Sequence, residues 1–269
     1  MITFPNIKIN LGLRITSKRE DGYHNIESCF CPIPWCDALE ITDADQFSFE
    51  SSGLPIPGES SSNLVVKAYE QLKKDFDLPP VKVHLLKSIP MGAGLGGGSA
   101  DGAFMLKLLN EKFKLGLVDE QLEAYALRLG SDCPFFIKNQ PVIAKGRGEV
   151  FEPINLSLAG KHVVLINPGL HIGTKEAYAG VVPHTPETEL KELLEKTSID
   201  GWKDIINNDF EVSAFKLHPS LQLLKDELYN KGALYASMSG SGSTIYGIFD
   251  SDPRLDMIDA YRTRTFQLE

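Results

Sequence analysis

Five glycines lie within the ten residues Pro90-Met91-Gly92-Ala93-Gly94-Leu95-Gly96-Gly97-Gly98-Ser99. A run with the alternation of a strand, Val81 to Leu85, precedes this glycine loop, and a helical apolar periodicity follows it from Ser99 to Asn110. Glycine lets backbone N–H groups approach an anion closely, and the first N–H groups of a helix favour negative charge. The glycine loop therefore predicts a binding site for nucleotide phosphates rather than a plain flexible turn.

The residues around the glycines argue against two common phosphate-binding motifs. A Walker A loop needs a lysine before its final Ser or Thr, and no lysine stands before Ser99. Gly92, Gly94 and Gly97 match the GxGxxG pattern of dinucleotide-binding folds, but such a fold needs a second parallel strand after the helix. Residues 112–129 instead predict a turn and another helix, which disfavours an oxidoreductase that uses NAD.

The first long strand of the chain carries a polar pair. Residues 7–15 alternate strictly, with Ile and Leu side chains on one face and Lys8 and Asn10 on the other. The apolar face is expected to join the core. The polar face is either a solvated surface or the lining of a cleft, and the alternation alone leaves both readings open.

Two shorter motifs also have two readings each. Asp132 lies in Leu129-Gly130-Ser131-Asp132-Cys133-Pro134, where one helix ends and another is expected to begin. It is either an N-cap or an ionised carboxylate that accepts a proton from a substrate hydroxyl. Residues 239–244, Ser-Gly-Ser-Gly-Ser-Thr, form either a tight hairpin turn or a second loop near the substrate.

The remaining pattern predicts an α+β protein with two domains, residues 1–153 and 154–269. In the second domain, the order of elements predicts helices on one side of a small antiparallel sheet. We expect helices at residues 63–76, 99–110, 119–129, 175–180, 190–196, 209–216 and 219–231, and strands at residues 7–15, 25–33, 39–42, 47–50, 81–85, 141–144, 163–166, 234–237 and 244–249.

Charge and composition exclude several classes of protein. The chain of 269 residues has a net charge of −9, which is too acidic for a protein that binds nucleic acid through its phosphates. No window reaches the roughly 18 apolar residues of a membrane span, and the first residues lack the pattern of a leader peptide. The four cysteines include no paired CxxC motif, so we expect reduced thiols and no zinc site. A cytoplasmic protein that binds a small molecule follows, with neither nucleic acid nor membrane as partner.

In combination, these motifs resemble the GHMP kinase superfamily, whose N-terminal segment, PxGxGLGxS loop and C-terminal glycine loop occur here in that order. Lys8-Ile9-Asn10-Leu11-Gly12-Leu13 with Asp21-Gly22-Tyr23-His24 is similar, more narrowly, to members that act on a cytidine-diphosphate-linked methylerythritol. The resemblance implies phosphorylation of the 2-hydroxyl of that alcohol by ATP with Mg²⁺, in the non-mevalonate route to isoprenoid precursors. It also implies the GHMP kinase fold, with a ribosomal-protein-S5-like N-terminal domain, a ferredoxin-like C-terminal domain and a site in the cleft between them.

The resemblance further implies roles for individual residues. Asp132 matches the catalytic base, and Lys8 matches the lysine that holds that carboxylate. The residues implied to contact the substrate are Asn10, Tyr23, His24 and Tyr178, of which Tyr23 and Tyr178 stack on the cytosine and His24 hydrogen-bonds it. Those implied to bind ATP are Asn63 and Lys87, at the adenine, and Pro90, Gly92, Gly94, Leu95, Gly96, Gly97, Gly98 and Ser99, at the phosphates. No metal ligand is assigned, and the protein is expected to be a monomer or a weak homodimer.

Three residues depart from the pattern of the superfamily, since Ala100 lacks a hydroxyl that is common at the end of the loop, Ser241 stands where Thr is common without an expected effect, and Asp101 adds a charge. Members of the superfamily often have Asn where this chain has Asp101, which adds a carboxylate near the phosphates. Asp101 either helps to hold Mg²⁺ through water or favours the N-terminus of the helix, and we expect the second role.

Two other functions are compatible with the glycine loop. One is that of a GHMP kinase for a different alcohol, and the other is that of a nucleotide-binding module without catalytic activity. Tyr23 and His24 argue against the first, and the presence of Lys8 and Asp132 argues against the second.

Overall fold

The computed structural model describes residues 1–254 and 261–269, and of residues 174 and 175 it describes the backbone. Its strands are β1 (Ile2–Thr3), β2 (Asn6–Lys18), β3 (His24–Cys36), β4 (Ala38–Asp43), β5 (Ser48–Gly53), β6 (Val81–Lys87), β7 (Val142–Gly146), β8 (Val150–Pro153), β9 (His162–Asn167), β10 (Tyr235–Met238), β11 (Ile245–Phe249) and β12 (Arg262–Gln267). Its α-helices are α1 (Leu64–Asp75), α2 (Gly97–Phe113), α3 (Asp119–Leu129), α4 (Phe135–Lys138), α5 (Thr174–Ala179), α6 (Leu190–Lys196), α7 (Phe210–Leu217) and α8 (Pro219–Asn230).

The chain folds into two compact units that alternate along the sequence. The first unit comprises residues 1–7, 35–91 and 96–140, and the second comprises residues 8–34, 92–95 and 141–269. The glycine loop therefore passes from the first unit to the second and back. The predicted domains, residues 1–153 and 154–269, are continuous stretches of sequence, whereas the two compact units are not. The boundary after residue 153 stays a prediction.

The described part of the first unit contains one mixed sheet and four α-helices. The sheet has the strand order β1-β4-β6-β5, in which β5 runs parallel to β6 and the other pairs are antiparallel. Helix α1 buries Val65, Ala68, Tyr69 and Leu72, the stripe that its 3.6-residue periodicity predicts. Helix α2 is buried along much of its length, since nine of its 17 residues are buried. It is thus the central helix of this unit.

The second unit contains two four-stranded sheets. One has the order β2-β3-β7-β8, and the other, β10-β11-β9-β12, is antiparallel throughout. Side chains of β9, β10, β11 and helices α7 and α8 share one hydrophobic cluster. The expected antiparallel sheet packed with helices is therefore confirmed. A helix was expected to begin after the Asp132 motif, and α4 is that helix, with only four residues. Strand β12 was not among the expected elements, because it is rich in Arg and Thr.

Among the described residues, we find no helix whose length and hydropathy suffice for a bilayer crossing.

Candidate functional site

The glycine loop ends where α2 begins, so its last residues are also the first residues of the helix. Helix α2 starts at Gly97, and its N-cap is Gly96, with φ +70°. Ala100 N donates to Gly96 O over 2.9 Å, which is the first bond of the helix. The N–H groups of residues 97–99 precede that bond, and N–H groups in this position bind anions. The geometry is that of a phosphate-binding helix start.

Within the second unit, the first half of the glycine loop is supported by the C-terminal motif. Ser239 Oγ donates to Gly94 O over 2.8 Å, and Thr244 N donates to Ala93 O over 3.3 Å. Gly94 has φ +77°, and a Cβ at this position would lie 1.9 Å from Ser239 O. Ser239 N also donates to Thr244 O over 2.9 Å, which closes the turn between β10 and β11. The motif is thus a hairpin turn that also holds the glycine loop.

Lys8 and Asn10 are buried side by side on β2, with 4% and 1% of their surface exposed. Lys8 Nζ donates to Asn10 Oδ1 over 2.6 Å and lies 4.3 Å from the centre of the Phe30 ring. Asn10 Nδ2 donates in turn to Ser28 Oγ over 2.8 Å. Burying an ammonium is costly unless polar or aromatic partners surround it. The reading of this face as a solvated surface is therefore wrong.

An aromatic pair lies elsewhere in the second unit. The rings of His24 and Tyr178 stack with their centroids 4.7 Å apart and an interplanar angle of 17°. Phe210 packs perpendicular to Tyr178, with a centroid distance of 4.9 Å. Tyr23 is 58% exposed, and the Arg147 guanidinium lies 5.0 Å from its ring centre. His24 thus contacts one of the predicted stacking rings directly, and the sandwich of a base between Tyr23 and Tyr178 stays a prediction.

Asp132 lies in the turn between α3 and α4, in the first unit. Helix α4 begins at Phe135 and has Pro134 as its N-cap, so the reading of Asp132 as that N-cap is wrong. Ser131 Oγ lies 3.4 Å from Asp132 Oδ1, and Asp132 is partly exposed. A partly exposed carboxylate is compatible with proton transfer to or from a ligand. Its pairing with Lys8 joins residues of different units and stays a prediction.

Asn63 begins α1. Its Oδ1 accepts a hydrogen bond from Val65 N over 2.9 Å, so Asn63 is the N-cap of that helix. An Asn in this position satisfies one of the N–H groups that a helix leaves without an internal partner. The side chain is partly exposed, and its contact with adenine stays a prediction.

Lys87 lies at the end of β6 and is fully buried between two carboxylates. Its Nζ donates to Asp37 Oδ2 and, over 2.7 Å, to Asp101 Oδ2. None of the Lys87 side chain is exposed, so its ammonium does not fit the predicted contact with adenine. Asp101 binds Lys87, and neither of the two roles considered for Asp101 describes this contact. We call Asp37, Lys87 and Asp101 the buried triad.

The two acids of the buried triad have unequal surroundings. Asp37 Oδ1 accepts hydrogen bonds from Ser88 N over 2.6 Å and from Ile89 N over 2.9 Å, in addition to the contact of Oδ2 with Lys87. Among the described residues, no donor reaches Asp101 Oδ1, which is buried. Burial raises the pKa of Asp101 to about 7, and Asp37 adds to the rise while Lys87 opposes it. Asp101 is thus the acid of the triad that takes a proton.

This raised pKa predicts that stability falls with pH. A carboxyl with a pKa near 4 in the unfolded chain and about 7 in the folded one stabilises the fold below pH 4. That stability is lost as the pH rises through 7. Relative to Asp101→Asn, which does not titrate, the wild type should lose about 1–2 kcal/mol of unfolding free energy between pH 5.5 and 8. Urea titrations at both pH values measure the unfolding free energy. Equal changes of that free energy in wild type and Asp101→Asn would contradict the prediction.

Several partners of the site residues were not identified from the sequence. Ser28 and Phe30 hold Asn10 and Lys8 from the neighbouring strand, and Phe210 supports Tyr178. Ser28 and Phe30 are two residues apart on β3 and therefore share one face of that strand. This spacing, which matches that of Lys8 and Asn10 on β2, can be recognised in the sequence. Phe210 is an ordinary apolar residue of α7, and only the fold identifies it.

The described residues hold no ready-made cluster of metal ligands. Among residues 1–254 and 261–269, no three His, Cys, Asp or Glu side chains lie together as a possible metal site. Asp101, the carboxylate nearest the glycine loop in sequence, is bound to Lys87 inside the protein. We therefore assign no protein ligand to Mg²⁺.

Comparison with known proteins agrees with this geometry. The family model described as GHMP kinases N terminal domain matches residues 63–140, and that described as GHMP kinases C terminal matches residues 190–266. A protein of Bacteroides fragilis named 4-diphosphocytidyl-2-C-methyl-D-erythritol kinase is 54% identical over 273 residues, covering 100% of this chain and 99% of its own. A relative of the same name in Bacteroides thetaiotaomicron is 54% identical over 263 residues, covering 96% of each chain.

A solved structure agrees as well. The crystal structure of 4-(cytidine 5'-diphospho)-2C-methyl-D-erythritol kinase superposes on this chain with a TM-score of 0.82 at 29% identity, covering 98% of each chain. The α+β fold expected from the sequence is thus that of the GHMP kinases. With identity above half over its whole length to proteins of a single name, the chain belongs to the GHMP kinases and, among them, to the family of 4-diphosphocytidyl-2-C-methyl-D-erythritol kinases.

Proposed function

We propose that the protein transfers the γ-phosphoryl group of ATP to the 2-hydroxyl of 4-diphosphocytidyl-2-C-methyl-D-erythritol, in the non-mevalonate route to isoprenoid precursors. The observation that carries the proposal is the glycine loop at the start of α2, where three successive N–H groups precede the first helical bond. Full-length identity of 54% to kinases named for this substrate supports the choice of alcohol. Phosphoryl transfer asks mainly for positioning and charge stabilisation, which such a loop provides.

In the proposed reaction, Asp132 accepts the proton of the substrate hydroxyl. The hydroxyl oxygen forms a bond to the γ-phosphorus as the bond from that phosphorus to the β–γ bridging oxygen breaks. ADP leaves with the electron pair of the broken bond, and the proton remains on the Asp132 carboxyl until it passes to water. The alcohol thereby becomes a phosphate monoester, and no further reactant is needed.

Lys8 supplies positive charge in this scheme. Its ammonium is oriented by Asn10 Oδ1 at 2.6 Å and by the Phe30 ring. A buried cation interacts more strongly with a developing anion than one in water, because the local dielectric constant is lower. Asn10, whose own amide is fixed by Ser28, is proposed to contact the substrate beside it.

Mg²⁺ is proposed to arrive with ATP. Bound to the phosphates, it would neutralise part of their charge. The described residues offer no cluster of carboxylates for it, so we assign no protein ligand and no step to the ion.

The cytidine is proposed to be recognised by Tyr23, His24 and Tyr178. Aromatic rings stack on a base, and an imidazole offers hydrogen bonds to its edge. The stacked pair of His24 and Tyr178, with Phe210 packed perpendicular to Tyr178, supports this assignment because it places two of the three residues in one aromatic cluster.

Tyr178→Ala is expected to raise the KM for the cytidylated alcohol on the order of tenfold, with the KM for ATP unchanged. Stacking on one ring is worth about 1–3 kcal/mol per base. Tyr178→Phe is the matched control, because it keeps the ring and loses only the hydroxyl, and it should stay within about twofold of wild type. Steady-state kinetics with each substrate varied in turn measure both. Equal losses in the two variants would contradict a stacking role.

The experiment that tests the function is a panel of alcohols. Purified protein with Mg²⁺ and ATP is given the cytidylated methylerythritol, methylerythritol phosphate, mevalonate or homoserine, and release of ADP is followed. We expect ADP only with the cytidylated alcohol. Turnover of one of the others would identify a GHMP kinase for a different alcohol. ATP binding with no turnover of any would identify a nucleotide-binding module.

The protein is further proposed to act in the cytoplasm as a monomer or a weak homodimer. Cys29, Cys31, Cys36 and Cys133 are unpaired thiols, which agrees with a reducing compartment. Sedimentation at several concentrations tests the assembly, and a stable tetramer would contradict it.

A further inference from the structure

The buried triad lies directly beneath the first turn of α2. A Cβ added at Gly97, the first residue of the helix, would lie 3.3 Å from Lys87 Nζ. Asp101 belongs to the same helix, one turn further on. The glycine loop joins the end of β6, which carries Lys87, to this helix start. Any change in the charge of the triad therefore acts close to the turn whose N–H groups would bind phosphate.

The triad holds more acid than base. One ammonium faces two carboxyl groups, so the triad has a net charge of −1 when both acids are ionised and is neutral when one is protonated. Asp101 is the acid with the fewer hydrogen bonds, since Lys87 is its partner and its Oδ1 is buried without a donor among the described residues. A buried negative charge with so few partners is costly. Asp101 is thus the member whose charge can change.

The groups around Asp101 are few. Lys87 from β6 and Asp37 from the segment between β3 and β4 are the charged groups that act on its carboxyl in the described chain. At the next residue of the helix, Gly102, the side chains of Leu64 and Leu129 approach from α1 and α3 and are apolar. Cys133, beside Ser99, has a pKa raised to about 12 by burial and stays a thiol near neutrality. The Cys133 thiol therefore does not titrate in the range in which Asp101 responds.

We propose that Asp101 takes up a proton when the phosphates of ATP bind at the glycine loop, so that the affinity for the nucleotide is linked to pH. The inference rests on the proposed nucleotide site. A phosphate brought to the first turn of α2 disfavours a further negative charge beneath that turn, because like charges repel in a medium of low dielectric constant. The neutral form of Asp101 therefore becomes more populated in the complex than in the free protein. The raised pKa of Asp101, about 7, allows this change near neutral pH.

Asp101→Asn gives the sharpest comparison. The amide has the shape of the protonated acid, its oxygen can still accept from Lys87, and it does not titrate. The variant is therefore expected to fold and to bind ATP with an affinity independent of this titration.

The experiment is isothermal titration of wild type and Asp101→Asn with ATP in excess Mg²⁺, which keeps the nucleotide ionised. Titrations at pH 7.5 in buffers of different ionisation enthalpy count the protons taken up on binding. Wild type should take up about half a proton more than Asp101→Asn. Between pH 6.5 and 8.5, the affinity of wild type should fall about three- to tenfold relative to that of the variant.

The outcomes separate this inference from the proposed function. Equal proton uptake and parallel pH profiles would overturn the inference and leave the kinase assignment intact. Linked proton uptake without phosphoryl transfer to the cytidylated alcohol would support the inference and contradict the assignment. Failure of wild type to bind ATP would overturn both. If Asp101→Asn does not fold, the proton count of wild type alone decides, because a value near zero overturns the inference.

Discussion

Asp132→Asn is expected to lower kcat by about two to four orders of magnitude, the usual contribution of a general base, while ATP binds with almost unchanged affinity. The amide has the shape of the carboxylate but does not accept the proton of the alcohol. Stopped-flow measurement of a single turnover checks it, because it separates the chemical step from product release.

Asp77→Asn is the matched control for this variant. Asp77 is an exposed acid of the same unit, so its replacement changes the net charge equally and should leave kcat within about twofold, as surface substitutions usually do. A loose transition state needs little help from a base. A single-turnover rate of Asp132→Asn within tenfold of wild type would therefore remove Asp132 as proton acceptor and leave positioning as the source of catalysis.

Gly94→Ala is expected to raise the KM for ATP by tenfold or more. The added Cβ would lie 1.9 Å from Ser239 O and 3.2 Å from Gly242 O, both backbone atoms, and the residue has φ +77°. Backbone cannot rotate away as a side chain can, so the glycine loop or the hairpin turn has to move. Either movement displaces the N–H groups proposed to bind phosphate. Equilibrium binding of ATP measures the loss without depending on turnover.

Gly116→Ala is the control for strain at Gly94. Gly116 has a similar φ of +71°, but a Cβ there meets nothing within 4 Å. Gly116→Ala shares with Gly94→Ala the cost of a side chain in the left-handed region, about 1–2 kcal/mol. Its added Cβ does not overlap with any neighbouring atom. ATP affinity should therefore be unchanged in Gly116→Ala. A loss of affinity as large as that in Gly94→Ala would show that destabilisation, and not the geometry of the loop, is responsible.

Local patterns in the sequence predict the elements that carry the site. The alternation of residues 7–15 gives β2 and places Lys8 and Asn10 on one face, and the glycine loop gives the start of α2. Both depend on neighbours in the chain, whose periodicity and capping are visible in sequence. The polar face of β2 is buried, however, because β3 contributes Ser28 and Phe30 to it. Partners on another strand are not part of a local pattern.

Contacts over long stretches of chain account for the other differences. Lys87 meets Asp37 and Asp101, which are 50 and 14 residues away, so its burial as an ion pair is a property of the sheet and helix together. His24 and Tyr178 likewise meet only in the folded second unit. The resemblance to GHMP kinases named Lys87, His24 and Tyr178 as parts of a site, but it gave no indication that the two rings stack on one another or that the ammonium of Lys87 is enclosed.

The identity of the reaction can be read from its product by ³¹P NMR. Protein, Mg²⁺, ATP and 4-diphosphocytidyl-2-C-methyl-D-erythritol are mixed, and the spectrum is followed with time. We expect one new phosphate monoester signal, assigned to the 2-position, that grows as ADP appears while the diphosphate signals of the cytidylated alcohol persist. A spectrum in which ATP and the alcohol remain unchanged, or in which the phosphate appears on another hydroxyl, would contradict the proposed reaction.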